Sequence, residues 1–288
     1  KKKKMKVPPR LQPLVEDGLI DEVLFPLMSG KEADIFVVRS GTSTRCAKVY
    51  KEAYKRSFKK AAAYTEGRKV RNTRRARAME KGSRYGRKQQ EETWQNAEVD
   101  ALYRLDRADV RVPEPYGCYD GVLLMELVTD ETGDVAPRLA DVLMSEEQAL
   151  EDHAQVLRYI VRMLCAGLVH GDLSEFNILV DPDGPVIIDL PQAVDASANN
   201  NARAMLLRDV ERATDYYGLF APEVLETRYG EEIWQLFEDG ELTPEHALSG
   251  LFADAEDPAD VDGVMLEIRA VLREEEERRE RMRDAEDD

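Results

Sequence analysis

The chain has 288 residues, of which 43% are hydrophobic and 34% are charged, and its formal net charge is −17. This length and composition are typical of a globular protein with one large domain or two lobes. The longest apolar runs are strand-sized, far below the ~18 residues that a membrane-spanning helix needs. The overall acidity argues against a general nucleic-acid coat.

Three dispersed cysteines, Cys46, Cys118 and Cys165, show no CxxC spacing. Such cysteines are typical of small buried side chains in a reducing compartment. The lysines at 1–4 are not followed by the apolar segment of a secretory signal. We therefore expect a cytoplasmic protein without a membrane span or a disulfide framework.

Strands and tight turns dominate the first part of the chain. A leader at 1–22 precedes an N-terminal lobe over 23–125. Its predicted elements are strands at 23–28, 34–39 and 45–50, a basic flexible insertion at 51–90, a helix at 89–107, an extended stretch at 110–115, and strands at 117–119 and 122–126. Tight turns between the first three strands predict an antiparallel meander, and Asp120-Gly121 is a favoured hairpin turn.

Helical periodicity dominates the second part, which follows a hinge at 126–130. The predicted helices are 139–143, 145–166, 201–217, 221–225, 231–238, 244–251 and 262–283, with short strands at 168–170, 178–180 and 186–189. Ser145 followed by Gln148 is typical of a capping box. We therefore predict an α+β fold with two lobes: an antiparallel β-sheet N-lobe and a mainly helical C-lobe over 131–288, ending in an acidic helix.

A short polar segment, His170-Gly171-Asp172-Leu173-Ser174-Glu175-Phe176-Asn177, carries the strongest chemical signal. The Asp172 carboxylate can accept a proton from a hydroxyl, and Asn177 offers a neutral oxygen to a metal ion. Twelve residues after Asn177, Asp189 ends the apolar run Val186-Ile187-Ile188. The spacing is similar to that of protein-kinase catalytic loops, so we assign Mg²⁺ binding to Asn177 and Asp189.

Lys48 lies in the middle of a predicted strand, where lysine is disfavoured unless it reaches solvent or an anion. In phosphoryl transfer such a lysine holds the α- and β-phosphates of ATP. A carboxylate must orient it, and Glu98 on the following helix is the best candidate. Glu91 and Glu92 are the rivals for this role.

Two further segments are candidates for nucleotide contact. The turn Ser29-Gly30-Lys31-Glu32-Ala33 links the first two strands, but it has a single glycine and matches neither GxGxxG nor GxxxxGK[ST]. Its position, rather than its composition, assigns Ser29, Gly30 and Lys31 to the phosphates. The segment 123–128 joins the two lobes, and its backbone near Met125, Glu126 and Val128 is the predicted adenine site.

The basic block over 48–88 contains 16 Lys/Arg and 3 Glu, and aromatic side chains are interleaved with its charges. Three interpretations stay open: binding of RNA, a cover over ATP, or a solvated segment. At the other end, residues 209–288 hold 8 Arg and 26 Asp/Glu.

The chemical motifs together resemble the RIO family of atypical protein kinases. The motifs that carry the resemblance are Ser29-Gly30-Lys31-Glu32-Ala33-Asp34, Lys48-Val49-Tyr50-Lys51, Trp94 with Glu98, Met125-Glu126, the loop from His170 to Asn177, and Ile187-Ile188-Asp189-Leu190-Pro191-Gln192-Ala193-Val194. Asp189-Leu190-Pro191 stands where ordinary kinases have Asp-Phe-Gly. The resemblance covers about 24–217 and implies a bilobal kinase fold.

The resemblance also implies an activity. It implies serine/threonine kinase activity with ATP and Mg²⁺ or Mn²⁺ on a protein substrate that the sequence does not name. It implies a phospho-aspartate at Asp189 and autophosphorylation in the basic insertion, where the candidate acceptors are Ser57, Thr65, Thr73 and Ser83. The short leader suggests the RIO branch without a winged helix, and the acidic C-terminal region suggests a bacterial member.

Several alternatives remain open at this point. The loop spacing also occurs in small-molecule kinases of the aminoglycoside-phosphotransferase type. A non-catalytic binding module is a second alternative. An ATPase that times ribosome or ribonucleoprotein assembly is a third, with RNA or a ribosomal precursor as the partner of the basic segment 51–88.

Overall fold

A computed structural model of the chain describes residues 5–51, 97–119 and 121–253. The basic insertion from residue 52 onward, the rival carboxylates Glu91 and Glu92, and the predicted final helix at 262–283 lie outside the described residues. Asp120 of the predicted hairpin turn also lies outside them.

A five-stranded antiparallel sheet forms the N-terminal lobe. Its strands are β1 (Glu22–Ser29), β2 (Ala33–Ser40), β3 (Ser43–Tyr50), β4 (Pro115–Tyr119) and β5 (Val122–Glu126), in the spatial order β1-β2-β3-β5-β4. Residues 97–107 are helical and are called α2 here. The predicted antiparallel sheet of this lobe is therefore confirmed.

Strand β1 lies at the edge of the sheet and is irregular. Its register against β2 shifts between Val23 and Phe25 and again between Pro26 and Met28. Proline lacks the N–H that a central strand would need, so Pro26 is tolerated at an edge.

Helices dominate the C-terminal lobe. They are α3 (Glu146–Cys165), α4 (Ala202–Tyr217) and α5 (Tyr229–Glu238), with 3₁₀ turns at Leu139–Asp141 and Pro222–Glu226. Two strand pairs lie between α3 and α4: β6 (Leu168–Val169) with β9 (Val194–Asp195), and β7 (Ile178–Asp181) with β8 (Gly184–Ile187). The bilobal kinase-like α+β fold is confirmed.

The start of α3 shows how local sequence sets an element boundary. The Ser145 Oγ accepts a hydrogen bond from the Gln148 N–H at 3.2 Å, as an N-cap does. The Gln148 side chain does not return to the cap, because its amide donates to Asp152 Oδ1 at 2.9 Å. Half of the predicted capping box therefore forms.

Three predicted helices differ in the structure. The segments 139–143 and 221–225 are only the 3₁₀ turns Leu139–Asp141 and Pro222–Glu226, and 244–251 is not helical. In the segment 244–251 the Glu232 carboxylate accepts hydrogen bonds from the Ser249 and Gly250 N–H groups, both at 2.8 Å. This contact fastens the segment to α5, and Gly250 has a φ of 75°, which a helix cannot contain.

The hydrophobic core is continuous across the two lobes. Leu102 of α2 and Leu123 of β5 belong to the same buried cluster as the inner faces of α3 and α4. A second cluster packs the short helix α1 (Gln12–Glu16) and its flanks against the far face of the sheet, through Leu11, Leu14 and Ile20. No helix among the described residues is long and apolar enough to cross a bilayer.

Candidate active site

A cavity of about 580 Å³ lies between the lobes. Of the predicted site residues, those that line it are Gly30, Lys31, Lys48, Glu98, Met125, Glu126, Val128, Asn177 and Asp189. Ser29 and Asp172 are not among the lining residues. Residues that lie far apart in the sequence therefore meet at one cleft.

Lys48 is held inside the cleft by two carboxylates. Its ammonium lies 2.5 Å from Glu98 Oε1 on α2 and 3.3 Å from Asp189 Oδ1 of the C-lobe. Burial alone would lower the pKa of Lys48, but the two carboxylates outweigh it, so the pKa lies above its ordinary value. Lys48 therefore stays positively charged where phosphates would enter.

Asp189 has an uncommon backbone conformation. Strand β8 ends at Ile187, so Asp189 lies two residues beyond the strand, and its φ is 64°. Non-glycine residues rarely adopt this left-handed region, and such strain is concentrated at functional sites. Its side chain is 48% exposed and lies at the cavity.

Ile188, which precedes Asp189, is fixed from both sides to the loop from His170 to Asn177. The Ile188 N–H donates to the Asn177 carbonyl at 3.0 Å, and the Ile188 carbonyl accepts from His170 Nε2 at 3.0 Å. The buried His170 also accepts at Nδ1 from the Asp172 N–H at 3.3 Å. This pair of bonds requires the tautomer with its proton on Nε2.

Asn177 connects the loop to the cavity. Its amide nitrogen donates to the Asp172 carbonyl at 2.7 Å, which leaves the amide oxygen as the free acceptor. A hard cation takes neutral and anionic oxygens, so Asn177 Oδ1 and the Asp189 carboxylate fit Mg²⁺. Among the described residues, no group of three or more Asp, Glu, His or Cys could hold a metal ion by itself.

Helix α4 supports the loop from His170 to Asn177 through Asp209, which was not predicted from the sequence. The buried Asp209 carboxylate accepts from the Gly171 N–H at 2.7 Å and the Leu173 N–H at 2.9 Å. Burial raises the pKa of Asp209, although His170, Arg208 and these two N–H groups oppose the rise. The signal was present: Asp209 interrupts the apolar stripe of α4 formed by Met205, Leu206, Val210 and Ala213.

Two arginines of α4 also contact the loop. Arg208 donates to the Gly171 carbonyl at 2.7 Å, and Arg212 Nη1 lies 3.1 Å from Asp172 Oδ1. Neither contact could be read from local sequence, because 37 and 40 positions separate the partners. Asp172 itself is half-exposed.

The turn between β1 and β2 is fastened by its own side chains. Ser29 Oγ donates to Asp34 Oδ1 at 2.5 Å, and the Lys51 ammonium lies 3.0 Å from Ser29 Oγ and 2.7 Å from Asp34 Oδ1. Ser29 is thus directed into this cluster, while Gly30 and Lys31 face the cavity.

Val128 offers a backbone donor at the hinge. Val128 is buried and lines the cavity, and its carbonyl accepts from the Ala136 N–H at 3.0 Å. Among the described residues the Val128 N–H has no hydrogen-bond partner. A buried unpaired N–H is costly unless a ligand or water accepts from it, so this group fits an adenine nitrogen.

Glu126 lines the cavity, but its carboxylate is bound by an arginine. Arg111 binds it through two bonds of 2.8 Å and also lies 2.8 Å from Asp181 of β7. Arg111 therefore links the end of β5, where the hinge begins, to the C-lobe.

Comparison with known proteins places this chain in a family. The sequence model of the RIO domain matches residues 34–229. A RIO-type serine/threonine-protein kinase Rio1 of Haloferax volcanii is 36% identical over 205 residues, covering 71% of this chain and 66% of the relative. The human serine/threonine-protein kinase RIO1 is 31% identical over 231 residues, covering 80% of this chain and 38% of the relative.

A third relative agrees with these two. The RIO-type serine/threonine-protein kinase Rio1 of Methanocaldococcus jannaschii is 31% identical over 191 residues, covering 66% of this chain and 60% of the relative. The chain thus spans less than two thirds of the length of each of the three relatives.

Proposed function

Because the chain belongs to the RIO domain family, we propose that it is an ATP-dependent serine/threonine protein kinase. One observation carries the proposal: the buried Lys48 ammonium lies between Glu98 at 2.5 Å and Asp189 at 3.3 Å, at the wall of a cavity between the lobes. A charged lysine and a metal-binding carboxylate side by side are what the phosphates of ATP require.

Each site residue then has a role. Lys48 binds the α- and β-phosphates, and the backbone near Met125, Glu126 and Val128 receives adenine. Asp172 accepts the proton of the attacking hydroxyl. Asn177 and Asp189 hold Mg²⁺ or Mn²⁺, and the metal neutralises charge on the phosphates when it is bound.

The turn between β1 and β2 has a narrower role than its sequence suggested. Gly30 and Lys31 line the cavity and are the proposed phosphate contacts. The Ser29 side chain is held by Asp34 and Lys51 instead, so it acts on the phosphates only through the shape of the turn.

Asp189 is also the proposed site of a phospho-aspartate. In the step that forms it, an Asp189 oxygen bonds to the γ-phosphorus of ATP. The bond between this phosphorus and the β–γ bridging oxygen breaks, and ADP leaves with the electron pair. Water then cleaves the acyl phosphate. The candidate autophosphorylation sites Ser57, Thr65, Thr73 and Ser83 lie outside the described residues.

A second candidate is an ATPase that acts as a switch in ribosome or ribonucleoprotein assembly. Only 12 residues, 190–201, separate Asp189 from α4, and this leaves little chain for a peptide-docking segment. Binding of RNA or a ribosomal precursor by the basic segment 51–88, and the cytoplasmic location, stay predictions.

The test uses the chain with γ-labelled ATP and Mg²⁺. A kinase gives acid-stable label on serine or threonine of the chain or of an added protein, whereas a phospho-aspartate gives label that hydroxylamine removes. Robust release of free phosphate with no label on any protein favours the switch. Absence of ADP formation contradicts both.

A further inference from the structure

The part of the chain that carries the catalytic carboxylates contains no strong cation of its own. None of the 40 residues from Met163 to Ala202 is Lys or Arg, while six are Asp or Glu. His170 is the one imidazole in this stretch, and both of its nitrogens bond to backbone. Any cation beside Asp172 must therefore come from another element.

Helix α4 supplies that cation through Arg212. Arg212 Nη1 lies 3.1 Å from Asp172 Oδ1, and the two side chains are 43% and 41% exposed. One turn earlier on the same helix, Arg208 and Asp209 bond to the backbone of Gly171 and Leu173. The same helix thus fixes the loop backbone and the reactive side chain.

The contact leaves half of the Asp172 carboxylate available. Arg212 bonds to Oδ1, and among the described residues Oδ2 accepts no hydrogen bond. A proton acceptor must present one oxygen to the incoming hydroxyl within hydrogen-bond reach. The χ2 torsion of aspartate, which rotates the carboxylate, is broadly distributed. An arginine bound to the other oxygen limits this rotation.

From this geometry we infer that Arg212 is a positioning residue for Asp172. It holds the carboxylate with Oδ2 directed to the phospho-acceptor, and it acts through Asp172 rather than on the nucleotide. Arg212 is not among the residues that line the nucleotide cavity. The inference rests on the proposed function, since Asp172 must accept a proton for its orientation to matter.

The position of Arg212 separates two kinetic effects. Loss of a positioning contact lowers the rate at which bound ATP reacts, because small misplacement of a reacting group is costly. Affinity for ATP is unaffected, because the side chain does not reach the cavity. We expect Arg212→Ala to lower kcat by about tenfold and to leave KM for ATP within twofold.

Two further variants sharpen the test. Arg212→Lys keeps a cation, and the observed contact uses a single nitrogen, so Lys should restore part of kcat. Arg203→Ala removes an exposed arginine from the same helix and serves as the matched control. Its kcat and KM should equal those of the unmodified chain.

The decisive experiment measures ADP formation by the full chain and these variants, and repeats Arg212→Ala in the Asp172→Ala background. A positioning residue loses its effect there, so the double variant should match Asp172→Ala within twofold. The inference is overturned if Arg212→Ala keeps full kcat while Asp172→Ala is inactive, or if it lowers the residual rate of Asp172→Ala by the same tenfold. An unmodified chain that forms no ADP overturns the proposed function and the inference together.

Discussion

The ammonium of Lys48 lies 2.5 Å from the carboxylate of Glu98, and both side chains are almost completely buried. The other Glu98 oxygen, Oε2, is buried without a hydrogen-bond partner among the described residues. This pair joins β3 to α2 and points the lysine into the cleft. A buried ion pair is weak support for stability, but breaking it leaves one charge unpaired.

We therefore expect Lys48→Met to destabilise the chain by about 3 kcal/mol, since Glu98 then remains buried without a cation. Urea unfolding followed by tryptophan fluorescence measures the loss. The same variant should remove ATP turnover, because the phosphates lose their cation.

The double variant Lys48→Met with Glu98→Leu is the control. It removes both charges, so most of the lost stability should return while ATP turnover stays absent. A double variant that is no more stable than Lys48→Met would show that the buried charge is not the cause.

Asp209 is expected to set the shape of the catalytic loop. Asp209→Ala removes the acceptor of the Gly171 and Leu173 N–H groups, which then remain buried and unpaired. We expect a loss of about 2–4 kcal/mol in the free energy of unfolding and a lower kcat. Asp215→Ala, an exposed acid on the same helix, should change neither quantity.

The sequence supported a good prediction of the sheet and of the chemical motifs, because strand alternation and motif spacing are local. Lys48 contacts Glu98, the carboxylate that the sequence favoured over Glu91 and Glu92. Asp209 and Arg212 were not found, because their partners lie 36–40 residues away across the fold. Segment 244–251 was predicted as a helix, but the φ of Gly250 and the contact with Glu232 keep it from being helical.

Arg111 is expected to hold the end of β5 to the C-lobe. Its bonds to Glu126 and Asp181 raise its pKa, although burial opposes this, and it stays charged. Arg111→Ala leaves the Asp181 side chain, which is 6% exposed, without its cation. We expect a loss of about 2 kcal/mol and several-fold weaker ATP binding, measured by calorimetry.

The conservative variant tests the geometry of that contact. Arg111→Lys retains the charge but cannot reproduce the fork that reaches two carboxylates. It should recover less than half of the lost stability. Full recovery would show that charge alone is sufficient.

His153 is expected to make stability depend on pH. Burial lowers the pKa of His153 from 6.5 to about 4. The folded state therefore favours the neutral ring. The stability that this preference provides is fully present above pH 6.5 and is lost as pH falls toward 4. The lowered pKa corresponds to about 3 kcal/mol.

The measurement is the free energy of unfolding in urea at several pH values between 4 and 7, for the unmodified chain and His153→Gln. Glutamine can still bond to Thr214, which now contacts His153 Nε2 at 3.0 Å. The variant should lose stability less steeply over this range. If the free energy of unfolding fell equally steeply with pH in both chains, His153 would not be the cause of the pH dependence.

We propose that the cavity between the lobes, where Lys48 meets Asp189, turns over ATP through the carboxylates of the C-lobe. The most direct measurement is ADP formation with Mg²⁺ by the unmodified chain, Asp172→Ala and Asp189→Ala, with Asp183→Ala as an exposed acid in the loop between β7 and β8. We expect turnover by the unmodified chain and Asp183→Ala, and a loss of at least 100-fold in Asp172→Ala and Asp189→Ala. Equal turnover by all four chains would contradict it.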